Sequence, residues 1–304
     1  MRNNSKLKYY FDACRPKHFI KNILVFAAPF FSFKYDLNTW LYTILAAFLF
    51  CFISSSIYIM NDIFDLEQDR LHFRKSKRPI AAGLITVKEA IFLSLILIVI
   101  SFFFSYLLNP YLFLIISGYF LIQVLYCLYL KKEPILDVFC ISSGFLLRAI
   151  SGGVANNLII SPWFILSVTL LALFIAIEKR KAELRLYKKT GILTRKVLKR
   201  YSLSLLSRYE SVVTTGCFFS YSLWASGPLL KGAPTSWMLF SVPLVLLGIF
   251  RYQLISDEIF NNRDVKLLSI STESPEEILL NDTGIKIIVI MWILIVLLIS
   301  IFTL

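Results

Sequence analysis

Histidine is almost absent from these 304 residues, His18 and His72 being the only two. That scarcity argues against chemistry that turns on a histidine acid or base, and both rings are expected as interfacial side chains. The five cysteines, Cys14, Cys51, Cys127, Cys140 and Cys217, have no paired spacing, which excludes a disulfide framework and a zinc site. Alternation of period two is missing, so a β-barrel is excluded. No low-complexity linker occurs and the longest polar stretches run to only about 30 residues, so one domain over residues 1–304 is expected and no second, soluble one. The start, Met1 to Tyr10, is polar and basic and has neither the apolar core nor the small-residue cleavage site of a signal peptide.

What fills the chain is hydrocarbon. Hydrophobic residues make up 58%, 27 of them Phe, and the mean hydropathy is +0.72. Repeated apolar runs are long enough to cross a core of ~30 Å as helices, which predicts an all-α polytopic membrane protein. Spans are expected near 18–33, 38–60, 86–107, 111–130, 134–155, 162–178, 209–228, 236–255 and 284–304, about nine in all. The first is short and carries Lys21, which suits a tilted or partly interfacial segment. All but Lys34, Lys231 and Arg148 of the 32 Lys and Arg residues fall in alternate connecting stretches. The positive-inside rule then places the N-terminus and these loops in the cytoplasm, the C-terminus outside, and the protein in the inner (cytoplasmic) membrane. The net charge of +13 therefore calls for no nucleic acid; orientation, contact with anionic membrane lipids and an anionic substrate account for it. Nothing in the sequence specifies an oligomer.

Chemistry is concentrated in Asn61-Asp62-Ile63-Phe64-Asp65-Leu66-Glu67-Gln68-Asp69-Arg70, followed by Arg74, Lys75, Lys77 and Arg78. At helical pitch Asn61, Asp65 and Asp69 share a face while Asp62 and Glu67 point elsewhere. Three oxygen donors on one stripe suit a hard cation, and Mg2+ takes one or two carboxylates plus substrate phosphate oxygens and water. The missing ligands would be a diphosphate, with Arg70, Arg74, Lys77 and Arg78 neutralising the remaining charge. A solvated loop of mixed charge is the alternative, and the i, i+4, i+8 register argues against it.

Two more clusters are expected on the same side. In Arg15-Pro16-Lys17-His18-Phe19-Ile20-Lys21-Asn22, Lys17 and Lys21 fall on one α-helical face and can reach a phosphate, or can snorkel among headgroups. In Glu178-Lys179-Arg180-Lys181-Ala182-Glu183-Leu184-Arg185, Lys179 and Glu183 are four apart, as are Lys181 and Arg185. The bases alone fit a stop after a span, but Glu183 turned toward the membrane needs a partner or a metal. Arg148 lies inside a span, where an uncompensated charge costs ~2.5–3.5 kcal/mol or more. It is expected to face a cavity and support a phosphate or the metal ligands, since Asp137, about three turns away, shares its face but is too distant to pair with it.

Asn61-Asp62-x-x-Asp65-x-x-x-Asp69 resembles the first aspartate-rich motif of the UbiA prenyltransferase superfamily. Arg15-Pro16-Lys17 with Lys21-Asn22, Arg78-Pro79-Ile80-Ala81-Ala82-Gly83, and Lys179-Arg180 with Glu183-Leu184 are similar to its decaprenyl-phosphate phosphoribosyltransferase branch. The resemblance implies a nine-helix bundle whose cytoplasmic cavity holds Mg2+ and 5-phosphoribosyl 1-diphosphate, with a polyprenyl phosphate acceptor drawn from the bilayer. It implies Asp65 and Asp69 as catalytic residues and metal ligands together with Asn61. Tyr126 with Lys131 resembles a further Tyr-x-x-x-x-Lys element of the superfamily, although an aromatic belt with a topogenic Lys gives the same pattern.

A typical member of the superfamily carries a second Asp-x-x-x-Asp motif, where this chain has Glu178-Lys179-Arg180-Lys181-Ala182-Glu183. Phosphoribosyl diphosphate carries an additional 5-phosphate, and a more anionic donor favours cations over acidic ligands. Departure of diphosphate from the ribose C1 leaves negative charge that a metal clamp and cations stabilise, and the acceptor phosphate, with a second pKa near ~6, needs no strong base. Two rivals share part of this pattern. An aromatic prenyltransferase has the same first motif but takes an isoprenyl diphosphate, and a transporter leaves the Asn61/Asp65/Asp69 stripe without a role.

Overall fold

The computed structural model describes residues 2–71, 75–191, 195–228, 231–261 and 281–303, of which residues 2–5 and 258–261 are described by backbone alone. Its elements are helical throughout the described residues, and they group into two compact units. One comprises residues 1–130 and 147–159, the other residues 131–146 and 160–304.

The first unit opens with α1 (Arg2–Ala13), a 3-10 segment (Pro16–Phe26) and the short α2 (Ala27–Phe31). Then come α3 (Leu37–Phe64), α4 (Leu66–Leu71), α5 (Val87–Leu108) and α6 (Pro110–Leu128). Helix starts are set by local chemistry. Asp36 accepts a bond from the Thr39 amide (3.0 Å) ahead of α3, and Thr86 and Glu89 form a reciprocal capping box on α5. Pro110 follows Asn109, whose side chain accepts from the Tyr111 amide (2.8 Å) and starts α6 directly behind α5. Small hydroxyl residues let α5 approach α3 closely, Ser101 donating to the Leu49 carbonyl (3.0 Å) and Ser94 to that of Ser56 (3.3 Å). Val25, Phe50, Ile53, Leu112 and Ile116 fill the core.

Helix α7 (Leu136–Ala155) gives its first part to the second unit and its last part to the first. The second unit continues with α8 (Pro162–Thr190), a 3-10 turn (Lys196–Arg200) and α9 (Leu203–Ala225). A 3-10 turn (Ser236–Ser241), α10 (Val242–Asn261) and α11 (Thr283–Thr303) complete it. Leu173, Phe174, Ile177, Leu198, Leu206 and Tyr252 are packed together at its centre.

Among the described residues, seven helical stretches are long and apolar enough to cross a membrane: α3, α5, α6, α7, α8, α11 and Ser236–Asp257. The chain is thus a multi-pass integral membrane protein. The other two expected spans take a different form. Residues 18–33 are a 3-10 segment followed by a five-residue helix, and 209–228 falls largely in α9, which carries Arg208, Glu210 and a run of hydroxyl residues. Helix α8 continues past the span end expected near 178, running to Thr190 and stopping at Gly191 with φ 71°.

Candidate active site

The acidic motif forms where α3 gives way to α4. Asp65 leaves helical geometry (φ −96°, ψ 12°), yet its amide donates to Asn61 O (2.9 Å) and the Asp69 amide to Asp65 O (2.8 Å). The three oxygen donors therefore stay on successive turns despite the break. Asn61 and Asp65 are half-buried and Asp69 is buried. Asp62 does not point elsewhere: Arg78 donates from Nη1 both to Asp62 Oδ1 (3.1 Å) and to Asp69 Oδ2 (2.5 Å). Residues seven apart come back to one helical face after two turns, which the four-residue register overlooks.

Two loops deliver the bases. Arg15, in the left-handed region (φ 54°) ahead of Pro16, reaches Asp62 and lies over the Tyr58 ring at 5.1 Å. Arg78 is held by the turn that follows it, in which the Ala82 amide donates to Arg78 O (2.8 Å), Gly83 supplies φ 72°, and Ile80 and Ile85 are buried. Lys75 stands 4.0 Å from Asp69. Arg70 and Lys77 are exposed at the surface. Arg74 and His72 lie outside the described residues.

Lys17 and Lys21 sit in the 3-10 segment, where three residues per turn put them about 120° apart instead of on one face. Lys17 is exposed and Lys21 half-buried, while the ring of His18 lies 5.2 Å from that of Tyr58. Arg148, only 5% exposed, donates from Nε to Asn22 Oδ1 (2.7 Å) and from Nη2 to the Tyr119 hydroxyl (2.6 Å). Its guanidinium also lies 4.7 Å from the Tyr119 ring centre. Neutral oxygens and an aromatic face thus meet this cation. Gly152, one turn on, lets the Val25 carbonyl approach so closely that a Cβ would overlap it. Tyr126 on α6 is half-buried, as is Lys131 in the short 3-10 turn Leu130–Lys132.

The second unit gathers the basic motif on α8. Arg180 is fully buried and donates from Nε to Asp137 Oδ2 (2.7 Å), with Glu183 as a second carboxylate partner. Tyr201 donates to Asp137 Oδ1 (2.7 Å) and accepts from the Ile135 amide (2.6 Å). Burial, with Asp137 beside it, pushes the Tyr201 phenol up from its ordinary pKa, so it stays a donor. Arg195 stands 3.8 Å from Glu183. One turn aside, Lys181 is shared by Glu178 (2.7 Å) and Glu210 (2.5 Å), and Gln253 donates to Glu210 (2.6 Å).

Intrahelical contacts run i, i+3 from Glu178 to Lys181 and from Arg180 to Glu183. Arg185 donates to Asp257 (2.5 Å). The basic surplus of the motif is largely cancelled by Asp137, Glu210 and Asp257, which lie far away in sequence, and Lys179 is left half-buried. Arg15 and Asn22 had figured only as parts of the motifs that carry the resemblance, with no role assigned to them. Tyr119, Asp137, Tyr201, Glu210 and Gln253 were absent from the expected site, and their one legible signal was a polar or charged residue within or beside an apolar run.

Among the described residues, no three or more His, Cys, Asp or Glu side chains are grouped to hold a metal ion by themselves. Asn61, Asp65 and Asp69 offer hard oxygen donors only. Such a set suits Mg2+, which completes its shell with phosphate oxygens and water, better than a metal needing a full protein cage.

The sequence pattern of the UbiA prenyltransferase family matches residues 23–269. The decaprenyl-phosphate phosphoribosyltransferase of Mycolicibacterium smegmatis is 36% identical over 293 residues, which cover 92% of this chain and 89% of that protein. The protein of the same name from Corynebacterium glutamicum is 34% identical over 289 residues, covering 92% and 83%. Among solved structures, a UbiA homolog from Archaeoglobus fulgidus bound to GPP and Mg2+ superposes with a TM-score of 0.70 at 18% identity, over 96% of this chain and 99% of that one. That last likeness concerns the fold.

Proposed function

Because the chain belongs to the UbiA prenyltransferase family, we propose that it transfers the 5-phosphoribosyl group from 5-phosphoribosyl 1-diphosphate to a polyprenyl phosphate and releases diphosphate. The observation that carries this reading is the similarity to decaprenyl-phosphate phosphoribosyltransferases along nearly the whole chain. We read the Pro16–Phe31 segment and α9 as completing nine spans, with the N-terminus and a substrate cavity on the cytoplasmic side of the inner membrane.

Asn61, Asp65 and Asp69 would hold Mg2+, whose charge, when bound, offsets that of the departing diphosphate. In this reading Asp62 and Asp69 hold Arg78 and Arg15 in place beside the same oxygens, so that these guanidinium groups supply forked contacts to phosphate. Lys17, Lys21, Arg70, Arg74 and Lys77 add positive charge along the 5-phosphate and diphosphate, and Tyr126 and Lys131 contribute polar contacts to the substrate. Lys179 offers a further cation, while Arg180 and Glu183 order the turn that carries it. Arg148 sets the polar floor formed with Asn22 and Tyr119. An oxygen of the acceptor phosphate attacks the ribose C1, the C1–O bond to diphosphate breaks, and its electron pair leaves with diphosphate. The attacking phosphate is already anionic near pH 7, so no protein base is needed.

The test is donor choice by the purified protein. Offered labelled 5-phosphoribosyl diphosphate with polyprenyl phosphate, or an isoprenyl diphosphate with an aromatic acceptor, it is expected to make a ribosylated lipid only. A prenylated aromatic product would replace this reading with that of an ordinary prenyltransferase.

A further inference from the structure

We infer that α1 is an in-plane membrane anchor whose outer face rests on anionic phospholipid. The helix has 12 residues, which at 1.5 Å per residue is about 18 Å and too short to cross a bilayer core of ~30 Å. One face is already engaged: Ala13, Tyr9 and Tyr10 pack against Ile59, Ile63, Ile80 and Ile85. The opposite face presents Leu7 and Phe11, 73% and 59% exposed and one turn apart.

Depth is set by the neighbours of the engaged face. Lys6 pairs with Glu89 at 2.7 Å, and Glu89 lies in the first turn of α5, where that span begins. Ile59 and Ile63 belong to the last turns of α3, where the adjacent span ends. Helix α1 is therefore level with the boundary between hydrocarbon and headgroups, with two large apolar side chains turned outward at that height.

Charge selects the occupant of this face. The sequence of α1 carries Arg2, Lys6 and Lys8 against the single acid Asp12, and Lys8 is exposed beside the apolar pair. Bases flanking an apolar stripe fit anionic headgroups over acyl chains. The same face on a second copy would meet it with like charge. The anchor also has a structural consequence, because α1 ends two residues before Arg15, the base that reaches Asp62.

The test places the photoreactive residue benzoylphenylalanine at position 7 or 11 of the full chain, in nanodiscs of phosphatidylglycerol and phosphatidylcholine, and reads intact mass after irradiation. Adducts of one phospholipid are expected at both positions, several-fold above those at position 12, with a several-fold fall in phosphatidylcholine alone. Chain-to-chain crosslinks as the main product would overturn the inference in favour of a second copy. Yields no higher than at position 12, or unchanged without the anionic lipid, would also overturn it.

Discussion

Asp137→Asn tests whether the basic motif on α8 is held by a buried counter-charge. In the parent chain Asp137 is fully buried, takes a charge-assisted bond from Arg180 at 2.7 Å and one from Tyr201 at 2.7 Å. Removing one member of a buried ion pair costs about 3–5 kcal/mol, because the remaining charge stays desolvated. The amide keeps an acceptor for Tyr201, and Arg180 keeps Glu183, so the lower end, about 3 kcal/mol, applies. At ~1.4 kcal/mol per tenfold this is about two powers of ten in the folded-to-unfolded ratio. Reversible unfolding in mixed micelles, followed by tryptophan fluorescence, reads it directly. Combining Asp137→Asn with Arg180→Met is expected to cost less than the sum of the two single changes, since either one already breaks the Asp137–Arg180 pair. Equal stability of the single variant and the parent, or strictly additive effects in the double variant, would show that Asp137 is not the counter-charge of Arg180.

Asp65→Ala is expected to lower turnover at least about a hundredfold while membrane insertion and detergent extraction stay normal, which an activity assay on the purified variant checks. Gly152→Ala places a Cβ against the Val25 carbonyl and is expected to cost about 1–3 kcal/mol in the same unfolding assay, as overpacking does. Asp36 has its carboxyl held below the usual range by bonds from the Thr39 amide and hydroxyl. Its folded pKa being the lower one, its stabilisation is complete above the unfolded carboxylate value and is lost as pH falls through the folded one. The stability gap between parent and Asp36→Ala, compared at neutral and strongly acidic pH, should therefore shrink in acid.

The apolar runs that became α3, α5, α6, α7 and α11 were readable because a span of hydrocarbon needs no partner to be recognised. Where the prediction departed, the deciding contact was distant. Arg148 meets Asn22 across 126 residues, and nothing in the spacing around either announces the other. Helix α8 outruns its apolar stretch because Asp137 and Glu210 neutralise Arg180 and Lys181 inside the unit, so a charged turn that read as the end of a span is packed as interior. The first span misled through its pitch, since Pro16–Phe26 winds at three residues per turn and a four-residue spacing no longer marks one face. In the acidic motif the i, i+4, i+8 stripe was readable from spacing, whereas the link of Asp62 to Asp69 was not, because it runs through Arg78 from a separate loop.

The most direct measurement follows labelled ribose from 5-phosphoribosyl diphosphate into the lipid fraction while diphosphate is counted, in detergent with polyprenyl phosphate, with Mg2+ and with chelator. The account predicts one diphosphate released per ribosylated lipid, with both signals lost on chelation and restored by Mg2+. Ribosylated lipid formed at the full rate in chelator, or none formed under any of these conditions, would contradict it.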